Sequence, residues 1–84
     1  MRIEIVTTEE IVYSGSADAI VVPGVEGQLG ILPRHAPLIT AVAKGEVVVR
    51  DQGQTTTLLL SGGFMEVFED VVTILADSST GMVE

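Results

Sequence analysis

The sequence predicts an all-β domain, a sandwich or a barrel, and three observations support this class. β-Branched residues, which suit a pleated strand better than a helix, fill 28 of the 84 positions as 13 valines, 7 isoleucines and 8 threonines. Nine glycines and three prolines divide the chain at short intervals, as turns between short strands do. Residues 2–5 (Arg-Ile-Glu-Ile) alternate polar and apolar, which indicates a strand with Ile3 and Ile5 facing a core.

The next two segments are less regular. Residues 11–22 are predicted to be extended, with an interruption at Gly15, where a bulge or bend is cheap for a residue without Cβ, and an end at Pro23. In residues 35–43 the apolar positions are compatible with one face of a helix. The β-branched Thr40 and its neighbours favour a strand instead.

Two hairpins are predicted in the C-terminal half. Residues 46–50 and 55–61 flank the short polar loop Asp-Gln-Gly-Gln at 51–54, a pattern typical of an antiparallel hairpin. Residues 64–68 and 71–76 repeat the arrangement around Glu-Asp. The whole chain is therefore interpreted as one compact domain without a linker.

Length and composition exclude several classes of function. A chain of 84 residues has room for one modest core and for no deep two-domain cleft. The absence of cysteine removes disulfides, thiolate metal sites and cysteine nucleophiles. Because a formal net charge of −8 repels phosphates, nucleic acid is not expected as a partner.

The apolar content is high for a chain of this size. Hydrophobic residues make up 46% of the chain and the mean hydropathy is +0.50, with only three aromatic residues. Either some apolar surface is reserved for a protein partner or the core is a dense packing of small aliphatic side chains, and composition leaves both open. The apolar runs are far shorter than the roughly 18 residues of a membrane-spanning helix. The start lacks the apolar stretch of a signal peptide, so we expect an intracellular protein.

Gly24, Gly27 and Gly30 superficially resemble a phosphate-binding loop. A P-loop also needs Gly-Lys-Ser/Thr, and a dinucleotide fingerprint needs a following helix, and neither is present. The three glycines are therefore interpreted as positions of a twisting loop that need positive φ or close backbone approach.

His35, the single histidine, lies in a loop between two prolines. A general base would need a nucleophile or an orienting carboxylate, and no Ser or Asp is near it in sequence. A metal site would need further ligands at a recognisable spacing. The pattern favours a partly exposed contact residue on a rigid loop.

The other polar motifs do not form a catalytic site by spacing. Residues 61–63 (Ser-Gly-Gly) lack the strand-to-helix elbow of Gly-x-Ser-x-Gly and are predicted to form a tight bend between strands. Glu66, Glu69 and Asp70 are close in sequence at predicted strand ends and turns, where solvated charge is expected.

Six segments have an order and spacing that are specific only when taken together. They are residues 5–7 (Ile-Val-Thr), 13–15 (Tyr-Ser-Gly), 26–33 (Glu-Gly-Gln-Leu-Gly-Ile-Leu-Pro), 35–40 (His-Ala-Pro-Leu-Ile-Thr), 60–67 (Leu-Ser-Gly-Gly-Phe-Met-Glu-Val) and 72–77 (Val-Thr-Ile-Leu-Ala-Asp). On these segments, which extend over nearly the whole length, the chain resembles the N-terminal β-sandwich domain of the epsilon subunit of bacterial F-type ATP synthases.

The resemblance implies a fold and a role. The fold is a β-sandwich of two antiparallel five-stranded sheets. The role is that of a non-catalytic central-stalk (rotor) subunit that links the gamma subunit to the membrane c-ring and couples proton-driven rotation to ATP synthesis. It implies no cofactor and no metal, and a peripheral location on the cytoplasmic face of the bacterial plasma membrane. An acidic surface would suit the basic residues that the family's c-ring loops carry.

The resemblance also implies which residues meet the partners. For the c-ring they are Gln28, Leu29, Arg34 and His35. For the gamma subunit they are Thr7 and Thr40. The sequence departs from the family at two of these positions, since an acidic residue is usual at Gln28 and a small residue, commonly Gly, at Arg34.

A larger departure concerns length. The predicted domain is residues 1–77, followed by a frayed tail at 78–84, and the two C-terminal helices of most family members are absent. Inhibition by those helices and ATP binding are therefore not expected. The chain is either a naturally short form or a chain cut at the domain boundary, and a start at Met1 without a tag favours the first. The alternative function is a free-standing β-sandwich adaptor for another basic protein, with an enzyme a distant third.

Overall fold

The computed structural model describes residues 1–77 and the backbone of 79–83, and ten strands account for its regular structure. No helix occurs in these residues, so the predicted all-β class is confirmed. The strands are β1 (Arg2–Val6), β2 (Ile11–Ser16), β3 (Ala19–Gly24), β4 (Gly27–Ile31), β5 (Leu38–Val42), β6 (Gly45–Asp51), β7 (Gln54–Leu60), β8 (Gly63–Phe68), β9 (Val71–Ala76) and β10 (Ser79–Val83).

The strands form one hydrogen-bonded sheet that folds over on itself. Its order is β10-β7-β6-β3-β5-β8-β9-β1-β2, with β4 beside β3. β3 meets β5 at a single register pair, Gly24 with Val42. Pro23 has no N–H to donate, and its carbonyl oxygen accepts a bond from Ala43 N at 2.7 Å. Five strands therefore lie on each side of a narrow junction, in place of the two separate five-stranded sheets that we expected.

The two halves share one core. Its buried side chains come from both sides of the junction, among them Ile20 and Val47 from one half and Ile5 and Ile74 from the other. No polar or charged side chain is buried among the residues whose side chains are described. The two halves of the sheet pack face to face over this apolar layer, which is the arrangement of a β-sandwich.

One strand pair corrects the expectation of antiparallel sheets. β1 and β9 are parallel, with Ile3 opposite Val72 and Ile5 opposite Ile74. Parallel neighbours need a long connection, and these two strands are separated by most of the chain. The pairing places four buried apolar residues side by side.

The break between β2 and β3 was predicted at the wrong residue. Gly15 lies within β2, opposite Ile3, and the chain changes direction at Ala17 and Asp18. Ala17 N donates to Met1 O at 2.8 Å, and Asp18 N donates to Arg50 O at 2.7 Å, so these two residues join the two sheet halves. The strand that follows also continues one residue past Pro23.

Both predicted hairpins are confirmed. β6 and β7 are joined by Gln52 and Gly53, at φ 51° and 79°. β8 and β9 are joined by Glu69 and Asp70, at φ 49° and 65°. Positive φ at both central residues is the mirror-image turn whose twist matches that of the flanking strands. The predicted bend at residues 61–63 connects β7 to β8 through two glycines of positive φ.

The C-terminal residues differ from the expected frayed tail. β10 pairs antiparallel with β7. Because β7 pairs with β6 on its other side, β10 covers an edge of β7 that would otherwise be unpaired. Of the predicted tail, Ser78 and Glu84 lie outside the described residues.

Candidate protein-binding surfaces

Exposed apolar side chains cross the outer surface of the β5-β8-β9-β1-β2 half, which we call the outer face. At one end of it, five residues stand directly opposite one another from strand to strand and form what we call the apolar row: Ala41, Phe64, Leu75, Val6 and Ile11. Phe64, Leu75 and Ile11 are 61%, 57% and 65% exposed. Ile39 lies beside the row on β5 and is 74% exposed. The apolar surplus of the composition is thus partly on the surface, on one face.

Thr7 and Thr40, the residues expected near gamma, are each one residue from this row along the chain, but they face different sides of the sheet. Thr7 follows Val6 and lines a shallow depression with Phe64 and Leu75. Its Oγ1 accepts bonds from the N–H groups of Glu9 and Glu10, each at 3.3 Å, so it also shapes the β1–β2 turn. Thr40 precedes Ala41, lies opposite Met65 on β8, and is half-buried.

The glycine-rich segment forms a hairpin where a loop was expected. β3 and β4 pair from Ile20 with Ile31 to Gly24 with Gly27. Two of the three glycines fit the predicted reasons: Gly27 has φ 127°, and a Cβ on Gly24 would lie 2.7 Å from the Gly27 carbonyl oxygen. Gly30 does not fit, because a Cβ there would meet nothing within 4 Å.

Gln28 and Leu29 lie near the tip of this hairpin. Gln28 is exposed, and Leu29 is half-buried against the core. Both line a small depression that also includes Thr40. The structure therefore brings two of the residues expected at the c-ring next to one expected near gamma.

Arg34 and His35 lie in the loop between β4 and β5, and Asp70 fixes this loop. Arg34 has φ 65°, a conformation that favours glycine. Its backbone N–H donates to Asp70 Oδ1 at 2.8 Å. Asp70 also lies 3.8 Å from the Met1 ammonium group through Oδ2. Sequence reasoning missed this contact because it joins residues 36 apart in the chain.

His35 is half-buried and held by its neighbour. Its Nδ1 lies 2.7 Å from the Ala36 carbonyl oxygen, which accepts a hydrogen bond in the tautomer that has the proton on Nδ1. The ring therefore has a defined orientation on a loop that Asp70 holds at Arg34. A held ring of this kind is suited to contact a partner.

The described residues contain neither a metal-ligand cluster nor a membrane-spanning helix. Among them, no three His, Cys, Asp or Glu side chains lie together in a way that could hold a metal. Nowhere in residues 1–77 and 79–83 is there a helix with the length and apolar content needed to cross a bilayer. What these residues present is a β-sandwich with an apolar outer face and an ordered polar loop.

Comparison with known proteins gives this β-sandwich its family. The family described as the beta-sandwich domain of the ATP synthase delta/epsilon chain matches residues 1–81. The chain belongs to this family.

Relatives of known name agree with this assignment. The ATP synthase epsilon chain of Dehalococcoides mccartyi (strain CBDB1) is 46% identical over 79 residues, and that of Roseiflexus sp. (strain RS-1) is 49% identical over 79. Each alignment covers 94% of this chain and 56% or 57% of the relative. The chain thus spans slightly more than half the length of these relatives.

Solved structures show the same fold. A chain of the Euglena gracilis mitochondrial ATP synthase OSCP/F1/c-ring structure superposes with a TM-score of 0.86 at 25% identity, over 93% of this chain and 51% of that one. A chain of the Tetrahymena thermophila central stalk/c-ring structure gives 0.79 at 15% identity, over 95% and 65%. The second likeness supports the fold alone.

Proposed function

We propose that the chain is a non-catalytic central-stalk subunit of a proton-translocating F-type ATP synthase, linking the gamma subunit to the c-ring and coupling rotation to ATP synthesis. The observation that carries the proposal is the 46–49% identity to ATP synthase epsilon chains over 94% of this chain. The Euglena neighbour comes from a structure of the OSCP, F1 and c-ring of a mitochondrial ATP synthase, which supports the c-ring as a partner.

The outer face is the surface that we assign to gamma. It carries the exposed apolar row and Ile39, and such a contiguous patch on a small domain marks a protein interface. Thr7 lines a depression with Phe64 and Leu75 of the row and is proposed to lie at the margin of this surface. Thr40 is also proposed to lie near gamma, but it pairs with the buried Met65 and lines the depression beside Gln28 and Leu29.

The β3–β4 hairpin and the loop that follows β4 are the segments that we assign to the c-ring. Gln28 and Leu29 lie near the hairpin tip, and Arg34 and His35 in the loop that Asp70 holds. The chemistry of ATP synthesis then belongs to other subunits, and this chain binds no nucleotide or metal. Its place is peripheral, on the cytoplasmic face of the bacterial plasma membrane.

The loop assignment predicts that two single substitutions weaken binding to the c-ring. Arg34→Gly removes the side chain at a φ that glycine adopts freely, and His35→Ala removes the held ring. Each is expected to raise the dissociation constant by about three- to tenfold, the effect of a polar contact at the rim of an interface. The measurement is binding of the chain to detergent-solubilised c-ring by surface plasmon resonance.

Gln52→Gly is the matched control for these variants. It also exchanges an exposed polar residue at positive φ for glycine, but in the β6–β7 turn, and it should bind the ring as the unmodified chain does. If Arg34→Gly and His35→Ala both bind as tightly as Gln52→Gly, the loop does not contact the ring.

The second candidate function is an adaptor for another basic protein, favoured by the net charge of −8 together with the apolar outer face. Purification of the chain from cells distinguishes the two. Recovery with gamma and c subunits supports the stalk, and a stable complex that lacks both supports the adaptor.

A further inference from the structure

The carboxylate of Glu66 lies between apolar side chains of the outer face. Glu66 is on β8, with Phe64 and Phe68 two residues to either side of it on the same face of the strand. Its cross-strand neighbours are Ile39 on β5 and Thr73 on β9. Glu66 and Ile39 line two shallow depressions, one of which also includes Phe64 and the other Phe68. The carboxylate thus faces outward from mid-strand, whereas the sequence predicted the group of Glu66, Glu69 and Asp70 at strand ends and turns.

Glu66 makes no ion pair with any cation among the described residues. The next carboxylate along the same cross-strand line, beyond Thr73, is Glu4. Glu4 Oε2 lies 3.8 Å from Arg2 Nη2, so its charge is partly balanced within the chain. Glu66 is exposed, so water solvates its charge in the free domain, and no cation of the described residues balances it.

A partner that covers the outer face removes that water. A carboxylate buried without a counter-charge is strongly unfavourable, whereas a cation with good geometry offsets much of the desolvation. The flanking rings of Phe64 and Phe68 favour the same ligand, because a cation over the face of an aromatic ring is attracted by its quadrupole. Residues two apart on a strand are about 7 Å apart along the backbone. A guanidinium group bound to the Glu66 carboxylate could therefore also reach either phenylalanine ring.

We propose that Glu66, with Phe64 and Phe68, is a binding site for one basic side chain of the protein that covers the outer face. Arginine fits best, because its planar guanidinium group can bond both carboxylate oxygens and stack on an aromatic ring. The inference rests on the proposed function, which makes the gamma subunit that protein. It adds the chemical feature that gamma must present at the centre of the interface.

Binding of purified gamma to three variants tests the site. Glu66→Gln removes the charge and is expected to raise the dissociation constant about thirtyfold or more, as loss of one partner of a buried charged pair does. Glu66→Leu is expected to raise it at least as much, because it leaves the cation of gamma unpaired. Glu69→Gln makes the same change of charge in the β8–β9 turn and should alter binding less than about twofold, as surface charges do.

The Glu66→Leu variant distinguishes a Glu66 that binds a cation of gamma from a Glu66 that faces no cation in the complex. If gamma binds it as tightly as, or more tightly than, the unmodified chain, no cation faces Glu66 and the proposal is overturned. An equal loss with Glu69→Gln would also overturn it, by showing a long-range charge effect. Unfolding in urea checks that each variant is folded, as expected for exposed positions.

Phe64→Asp separates this inference from the proposed function. If Phe64→Asp weakens gamma binding and the Glu66 variants do not, the outer face binds gamma without a cation at Glu66. If neither weakens binding, gamma is not the protein on this face, and the assignment of the face fails together with the site.

Discussion

Replacing Gly63 with valine is expected to abolish the folded state of this domain at physiological temperature. A Cβ at this position would collide with the backbone carbonyl oxygen of Leu75 and lie 2.9 Å from Ala76 Cα, neither of which can move without disturbing β9. The φ of 151° adds strain for any residue with a side chain. Together, backbone strain and overpacking cost roughly 2–6 kcal/mol. A small domain has about 5 kcal/mol or less to lose.

The place of Gly63 in the fold explains the size of the effect. It begins β8, where it pairs with Val42 of β5 and Ala76 of β9, so three strands meet at this residue. Urea unfolding followed by circular dichroism measures the loss.

Gly30→Ala is the control for the Gly63 variant. A Cβ there meets nothing within 4 Å, so this variant should be as stable as the unmodified chain or more stable by about 0.5 kcal/mol. A cooperative, unshifted transition for Gly63→Val would show that β9 does not approach Gly63 as closely as described.

Replacing Phe64 with aspartate is expected to prevent tight binding of the gamma subunit. Phe64 is the aromatic member of the apolar row, and it is 61% exposed in the free domain. Burying a charge in place of an aromatic contact residue of an interface typically costs about 2–4 kcal/mol or more. The dissociation constant for gamma should therefore rise by about a hundredfold or more, as measured by isothermal titration calorimetry.

Leu32→Asp provides the comparison for Phe64→Asp. Leu32 is 63% exposed and undergoes the same apolar-to-acidic change, but it lies in the loop assigned to the c-ring. It should bind gamma with unchanged affinity. Equal losses with both variants would mean that the outer face has no special part in binding gamma.

Local features of the sequence were sufficient to predict the two C-terminal hairpins. The residues that turn the chain there, Gln52-Gly53 and Glu69-Asp70, lie between two short runs of strand-forming residues. The same holds for the bend at residues 61–63. In each case the turn and its strands are neighbours in the chain, so composition and spacing contain the needed information.

Features that depend on distant residues were not predictable. The parallel pairing of β1 with β9 joins opposite ends of the chain, and no local pattern specifies it. The turn at Ala17 and Asp18 contains neither Gly nor Pro and is held by bonds to Met1 and Arg50. β4 was not predicted as a strand because two of its five residues, Gly27 and Gly30, are poor strand formers.

The residues of the candidate sites also differ in whether the sequence could predict them. The family resemblance named Gln28, Leu29, Arg34 and His35 from their motif, and these remain proposals. The part of Asp70 in holding Arg34 depends on a contact across 36 residues. The isolation of Glu66 on an apolar face depends on the register of three strands. Such features require the fold.

The central claim is that this chain couples rotation of the c-ring to gamma. The most direct test uses proteoliposomes that contain an ATP synthase depleted of its own epsilon subunit. A proton gradient should drive ATP synthesis when the chain is added back and little or none when it is omitted, and Phe64→Asp should fail to restore it. Equal rates of gradient-driven synthesis with and without the chain would contradict the account.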